Sequence, residues 1–225
     1  MALVEDRAVW LEQLCATTGP GEVAHLGCAD SPYTEELLAA GTLLHCRLVR
    51  AAVVTGFDVD ASALALVAAQ LPDQRFVLAD VTAELPDTER GRYDLVLAGE
   101  VLEHVANADS FLRGAGALLT PGGRLCLTVP NACCPKIGLR ALAGRESVHP
   151  DHRVYYGPRT LERTLNGAGF ELDGIASCFA PLAGHAGKRL FNPLLRVSHR
   201  ISQGPVGDGL IAVARARSNA SSIAS

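Results

Sequence analysis

The sequence predicts an α/β fold, a doubly wound and mostly parallel sheet with helices on both faces. Three observations carry this. Short apolar runs of four to eight residues alternate with stretches of helical periodicity, the β-α-β-α order of a parallel sheet. The chain is 48% hydrophobic but only 5% aromatic, so its core is built from Ala, Val and Leu, as in strands covered on both sides. The apolar runs also end in Gly, Asp or Pro, residues that stop a strand and open a loop.

Taken in order, an amphipathic helix is expected near residues 4–16. The runs EVAHLGC (22–28), AAVVTGFDVD (51–60), RFVLAD (75–80), YDLVLAG (93–99) and GRLCLTVPN (123–131) read as buried strands. Between them SPYTEELLAA, SALALVAAQL and ADSFLRGAGALL have the apolar spacing of helices packed on a sheet. GPRTLERTLNGAGF is a further helix closed by Gly169, and ELDGIASCFA and GLIAVARA are two more strands. The long connection between those two, 181–208, is a basic insertion holding Lys188, Arg189, Arg196, His199 and Arg200. At 225 residues one well-buried domain is expected, spanning 1–215, with 216–225 a frayed tail.

The net charge of -4 hides an asymmetry: residues 1–132 hold 8 Lys and Arg against 18 Asp and Glu, while residues 133–225 hold 12 against 6. The basic part is either a solvated face or an attraction for an anionic substrate or surface. Seven cysteines without a repeated spacing read as reduced and mostly small apolar filler, with a thiol site at the vicinal pair Cys133 and Cys134 as the alternative. No uncharged apolar run approaches 18 residues, and Glu5, Asp6, Arg7 and Glu12 stand where a signal peptide is apolar. A cytoplasmic protein is expected.

Ligands of an open α/β sheet bind beyond the carboxyl ends of the strands. There the first three strands offer Gly27, Asp58 and Asp80. A glycine lets a ligand approach the backbone, and a carboxylate after the second strand accepts both hydroxyls of a ribose. The first loop separates the nucleotide cofactors. Ser31 reads as a helix N-cap, Pro32 removes an N–H at the first helical position, and Asp30, Glu35 and Glu36 make an acidic rim that repels a pyrophosphate. The same rim suits the positive charge of S-adenosylmethionine.

VAHLGCADS, GFDVD, LADV, YDLVLAGEVLEHV and LLTPGGRLCLTVPN, in this order and spacing, resemble the class I S-adenosylmethionine-dependent methyltransferases, particularly the ubiquinone-biosynthesis O-methyltransferase branch. The likeness runs from about residue 22 to 131, and HRVYYGPRTLERTLNGAGFEL extends it to about 172. It implies a Rossmann-like sheet of about seven strands whose last strand, GLIAVARA, is antiparallel. It also implies that Gly27 lines the methionine moiety, Asp58 holds the ribose, Asp80 meets the adenine amino group, and the backbone near Gly99 borders the sulfonium. Where the family's first loop reads Asp-x-Gly-x-Gly-x-Gly, this chain has His25, Ala29 and Ser31 in place of the acid and the second and third glycines. Ala29 is small enough to keep the turn if its φ is negative, and His25 on a buried strand reads as a satisfied core histidine.

EVLEHV, residues 100–105, follows the fourth strand and sets Glu100, Glu103 and His104 on one helical turn facing the crevice. With a further ligand from HPDH, His149 or His152, they make a plausible divalent-metal set, hard oxygens suiting Mg²⁺ or Mn²⁺ and the imidazole nitrogen extending the choice to Fe²⁺ or Zn²⁺. The ubiquinone O-methyltransferases carry a similar E-x-x-E-H, and small-RNA 2′-O-methyltransferases pair such a turn with a downstream histidine. Alternatively, His104 or His152 is a general base without metal, or Glu103 and His104 are helix-surface partners. The first expectation is therefore methyl transfer to a hydroxyl, and in second place an amine, of a small anionic or amphipathic molecule recognised by the basic insertion; nucleic acid is not the expected partner. The alternatives are a metal-dependent RNA 2′-O-methyltransferase and a non-catalytic S-adenosylmethionine-binding protein.

Overall fold

The structure, a computed structural model, describes residues 1–146, 149–179, 195–197, 199 and 204–217. The five early apolar runs are strands: β2 (Glu22–Leu26), β3 (Val53–Asp58), β4 (Arg75–Leu78), β5 (Tyr93–Gly99) and β6 (Leu119–Pro130). With β7 (Phe170–Cys178), β8 (Gly209–Ala216) and a short β1 (Ala2–Val4) they form one sheet in the order β1-β7-β8-β6-β5-β2-β3-β4. β8 is antiparallel to both β6 and β7, and every other pairing is parallel.

The sheet has eight strands rather than seven, because the expected first helix begins later than its periodicity implied. Asp6 caps α1 (Arg7–Ala16) by accepting from the Ala8 and Val9 N–H groups at 2.9 and 3.1 Å. A capped helix does not extend backwards, so residues 2–4 are free to pair with 176–178.

Strand side chains alternate between faces, and the two core clusters on either side of β5 and β6 follow that alternation. Val96 and Ala98 of β5 and Leu125, Leu127 and Val129 of β6 face one way, against Phe111, Leu112 and Ala115 of α5 (Ala108–Leu118) and Leu161 and Leu165 of α7 (Pro158–Gly167). Leu95, Leu97 and Cys126 face the other way, against Leu11 and Leu14 of α1 and Leu48 of α3 (Leu44–Leu48). α2 (Thr34–Ala39) packs on α4 (Ala61–Gln70), α4 packs on β4, and α6 (Pro135–Leu142) follows β6. All seven cysteines are free thiols and five of them are buried.

At the amino ends of the strands, Arg75, Glu89 and Tyr93 lock β4 to β5. The Tyr93 hydroxyl donates to Glu89 Oε2 at 2.5 Å, and Arg75 Nη1 donates to the same oxygen at 2.9 Å. Glu89 is 2% exposed, and the Arg75 hydrogen bonds, then that of Tyr93, hold its carboxyl down at about 2.

The end of the chain differs from expectation. β8 runs through Ala216, and the Arg217 N–H donates to Gly169 O at 2.9 Å, so the expected tail starts inside the sheet. In the basic insertion, Arg196 pairs with Glu5 and lies 5.8 Å over the Phe179 ring; it is docked on the protein, not free in solvent. His199 Nδ1 lies 2.9 Å from Gly204 O. Lys188, Arg189 and Arg200 lie outside the described residues. No helix among the described residues is long and apolar enough to cross a membrane.

Candidate functional site

From β2 the chain winds outward through β3 and β4, then returns to lay β5 on the other side of β2. This reversal opens a crevice between the loops that leave β2 and β5. Gly27, which follows β2, has φ +71°, a conformation cheap only for glycine. A Cβ there would sit 2.6 Å from Val101 Cγ2. The Gly27 and Cys28 N–H groups donate to Phe57 O at 2.8 and 3.1 Å, and the Ala29 N–H donates to Asp58 Oδ2 at 2.9 Å. The loop is thus stitched to the end of β3 by its own backbone. Ala29 is absent from the residues with positive φ, so its methyl group does not oppose the turn.

Asp58 is buried, and besides Ala29 it accepts from the Asp60 N–H at 3.1 Å. Each oxygen keeps one further lone pair for a ligand. Asp80 is exposed, and its Oδ1 accepts from the Thr82 N–H and hydroxyl at 2.8 and 2.7 Å, leaving Oδ2 open. Gly27, Asp58 and Asp80 line a single cleft of about 390 Å³ together with Phe57, Val101 and His104. Gly99 is not on its wall: a Cβ there would face Thr128 Oγ1 and Leu44. The first loop departs from expectation at its helix. Ser31 does not cap α2, because its hydroxyl donates to Asp60 Oδ2 at 2.8 Å; residues 30–33 form a turn and the helix begins at Thr34.

EVLEHV is not a turn of helix. Glu100 has φ +56°, and this left-handed residue redirects the chain as it leaves β5, so that only the His104 N–H to Val101 O bond, 3.0 Å, closes a turn. Glu100 therefore parts company with Glu103: it pairs with Arg7 Nη1 at 2.6 Å and accepts from Thr128 Oγ1 at 3.1 Å. The expected four-residue set reduces to three. Glu103, His104 and His152 each offer a ligand atom, all within 4.8 Å of one another.

Glu103 is fully buried, and neither of its oxygens has a hydrogen-bond partner; nor has His152 Nδ1. Burial, and then the charge of Glu100, push the Glu103 carboxyl up to about 8. Burial and the neighbouring His104 and His149 push His152 down. His104 Nδ1 lies 3.2 Å from Asp151 O, which leaves Nε2 available, the arrangement that backs a metal-bound imidazole. Orphaned carboxylate oxygens beside two imidazoles fit a divalent cation.

Sequence reasoning missed Arg7 and Tyr33, whose hydroxyl lies 3.3 Å from His149 Nε2. Neither belongs to a motif, and both arrive by tertiary folding. His25 is buried as expected but is paired with another histidine: its Nδ1 lies 3.1 Å from that of His45, and burial lowers both.

A methyltransferase-domain family profile matches residues 10–174. Among curated relatives, the ubiquinone biosynthesis O-methyltransferase of Azorhizobium caulinodans is 32% identical over 173 residues, 72% of this chain and 64% of the relative. This chain thus spans a little under two thirds of that relative's length. That of Pseudomonas aeruginosa LESB58 is 29% identical over 80% of this chain and 77% of the relative. Among solved structures, the N-methyltransferase NodS of Bradyrhizobium japonicum, in complex with S-adenosyl-L-homocysteine, superposes with a TM-score of 0.57 at 17% identity, covering 94% of this chain and 86% of that one. A SAM-dependent methyltransferase of Archaeoglobus fulgidus gives 0.54 at 16% identity, over 92% and 93%. At these identities the structures share the fold.

Proposed function

This chain belongs to the methyltransferase-domain family, and on that premise we propose that it transfers the methyl group of S-adenosylmethionine to a hydroxyl of a small molecule. The observation that carries the acceptor chemistry is the buried Glu103 carboxylate, without a hydrogen-bond partner and adjoining His104 and His152. Its neighbour His104 also lines the cleft that Gly27, Asp58 and Asp80 share, so donor and acceptor groups meet at one imidazole.

In this reading Asp58 offers its remaining lone pairs to the ribose hydroxyls, Asp80 offers Oδ2 to the adenine amino group, and Gly27 leaves the backbone bare beside the sulfur. Phe57, Val101 and Phe111 keep water from the transferring methyl group. Glu103, His104 and His152 hold a divalent cation such as Mg²⁺, which when bound lowers the pKa of an acceptor hydroxyl and fixes its direction. In the metal-free alternative, His104 Nε2, at the cleft wall, would instead accept the hydroxyl proton. Most of the acceleration comes from holding the two reactants in line. The excess of 12 Lys and Arg over 6 Asp and Glu in residues 133–225 favours an anionic or amphipathic acceptor.

Radiolabelled S-adenosylmethionine offered with phenols, aliphatic alcohols, primary amines and a short RNA, each with Mg²⁺ or with chelator, tests this. Label is expected on hydroxyl-bearing small molecules and lost in chelator. Label only on amines or RNA contradicts the acceptor, and full transfer in chelator contradicts the cation.

A further inference from the structure

Asn131 stands one residue beyond β6 and is 0% exposed. A buried amide is costly unless its donors and its acceptor are used, and here they are. Nδ2 donates to Pro205 O at 2.7 Å and to Gly207 O at 2.8 Å, and Oδ1 accepts from the Cys133 N–H at 3.0 Å. The Asn131 N–H donates to Asp208 O at 2.8 Å. One residue thus holds 205–208, where the basic insertion returns to β8, against the turn that follows β6.

On its other side Asn131 pairs with Tyr156 in an isolated parallel bridge, and the Ala132 N–H donates to Tyr156 O at 2.9 Å. Tyr156 is buried in the same core cluster as Leu161 and Leu165. From His152 to Tyr155 the chain belongs to no helix or strand. It is caught again at the far end, where the Arg153 N–H donates to Glu103 O at 2.8 Å. Residues 151–156 are therefore a strap fixed at two points. The strap carries His152, and it carries the Asp151 carbonyl that lies 3.2 Å from His104 Nδ1.

The His152 side chain is held by its backbone rather than by a bond of its own. Its Nδ1 has no hydrogen-bond partner, and its Nε2 is 4.0 Å from Glu103 Oε1, beyond hydrogen-bond reach. Its ring packs beside those of His104, His149 and Tyr155, with centroids 4.7, 5.0 and 5.6 Å away. His149 and Tyr155 belong to the same stretch of chain, so they move with it. The anchors of the strap set where the imidazole sits.

Resting on the role proposed above for Glu103, His104 and His152, we infer that Asn131 is a positioning residue. It acts through Tyr156 and the strap to keep His152 and the Asp151 carbonyl in register with Glu103, and it is not itself among the residues that line the cleft. The same amide is bound to Pro205 and Gly207, so the end of the insertion and the cation-holding cluster are tied to one side chain. Aspartate, of equal size, would set a carboxylate against two carbonyl oxygens; only asparagine supplies two N–H donors and an acceptor in that volume.

Titrating the full chain with Mn²⁺, followed by the electron paramagnetic resonance of the free ion, tests this beside calorimetric titration with S-adenosylhomocysteine. Asn131→Ala is expected to weaken Mn²⁺ about 10- to 100-fold, the scale of a lost support behind a metal ligand, and to leave S-adenosylhomocysteine within about 3-fold. Ser177→Ala is the comparison. The Ser177 hydroxyl is equally buried and accepts from the Gly207 N–H at 2.7 Å, so its loss loosens 205–208 without touching the strap, and Mn²⁺ affinity should stay within about 3-fold. Should Asn131→Ala fail to fold, Asn131→Ser, which keeps an acceptor for the Cys133 N–H, is expected to weaken Mn²⁺ by at least about 5-fold. Unchanged Mn²⁺ affinity in the Asn131 variants, an equal loss in Ser177→Ala, or equal losses of Mn²⁺ and S-adenosylhomocysteine overturn the positioning role while leaving the methyltransferase reading intact. If the unmodified chain binds no Mn²⁺, the cation reading fails, and the positioning role is read from the imidazole proton resonances of His104 and His152, assigned with His104→Gln and His152→Gln. Asn131→Ser is expected to shift both; unmoved resonances, or equal shifts at His25 and His45, overturn it.

Discussion

β5 has a buried glutamate just beyond each of its ends. Glu89, four residues before Tyr93, is 2% exposed, and Glu103, four residues after Gly99, is 0% exposed. At the amino end Arg75 and Tyr93 satisfy Glu89 and hold its carboxyl down at about 2. At the carboxyl end no hydrogen bond reaches either oxygen of Glu103, and burial pushes its carboxyl up to about 8. The same side chain in nearly the same burial is driven in opposite directions by the presence or absence of partners. One end of the strand spends its charge on holding the fold; the other leaves a carboxyl without a hydrogen-bond partner, the group proposed above to serve the chemistry.

Replacing each carboxylate by its amide separates the two roles. Glu103→Gln is expected to lower kcat/KM for methyl transfer by roughly 10²- to 10⁴-fold, the scale of a lost proton-transfer or cation-holding group. Affinity for S-adenosylhomocysteine, read by calorimetry, should stay within about 3-fold. A fully active variant would reduce Glu103 to packing. Glu89→Gln should leave turnover per folded molecule unchanged and cost about 2–3 kcal/mol of stability, the scale of hydrogen bonds to a buried charge. In a chain of this size that lowers Tm by roughly 5–10 °C in a thermal scan; an unchanged Tm would mean that Arg75 and Tyr93 find equal partners elsewhere.

The two ends also respond oppositely to pH. Glu89 has a folded-state value below its ordinary 4.5, so its contribution is present above pH 4.5 and is lost as the pH falls towards 2. Glu103 has a folded-state value above 4.5, so the folded state keeps a proton that the unfolded chain releases. Stability in chelator should therefore decline as the pH rises from 4.5 to about 8. Urea titrations across pH 4.5–8 should show that slope, and Mg²⁺ or Glu103→Gln should flatten it. A slope unaffected by either would assign it to other groups.

Most of the fold was legible because each strand announces itself by a short aliphatic run with a punctuated end, and seven such runs were found. β1 was not, since three residues carry no periodicity and only the Asp6 cap separates them from the helix. At the site, Gly27, Asp58 and Asp80 were legible because strand ends are fixed by the pattern itself. The EVLEHV turn was misread in its geometry: i, i+3, i+4 spacing means one face only if the backbone is helical, and Glu100 at φ +56° is not. Arg7 was invisible as a site residue, because its meeting with Glu100 spans 93 positions of sequence and depends on which strands are neighbours.

In the function proposed above, the cleft shared by Gly27, Asp58 and Asp80 receives an adenosyl group. Titrating S-adenosylmethionine into the full chain and into Asp58→Asn tests it most directly, since the asparagine oxygen preserves the bond to the Ala29 N–H while one ribose acceptor becomes a donor. Saturable one-to-one binding with Kd below about 1 mM, weakened at least about 10-fold by the substitution, is the predicted result. No binding, or equal binding by both chains, would contradict it.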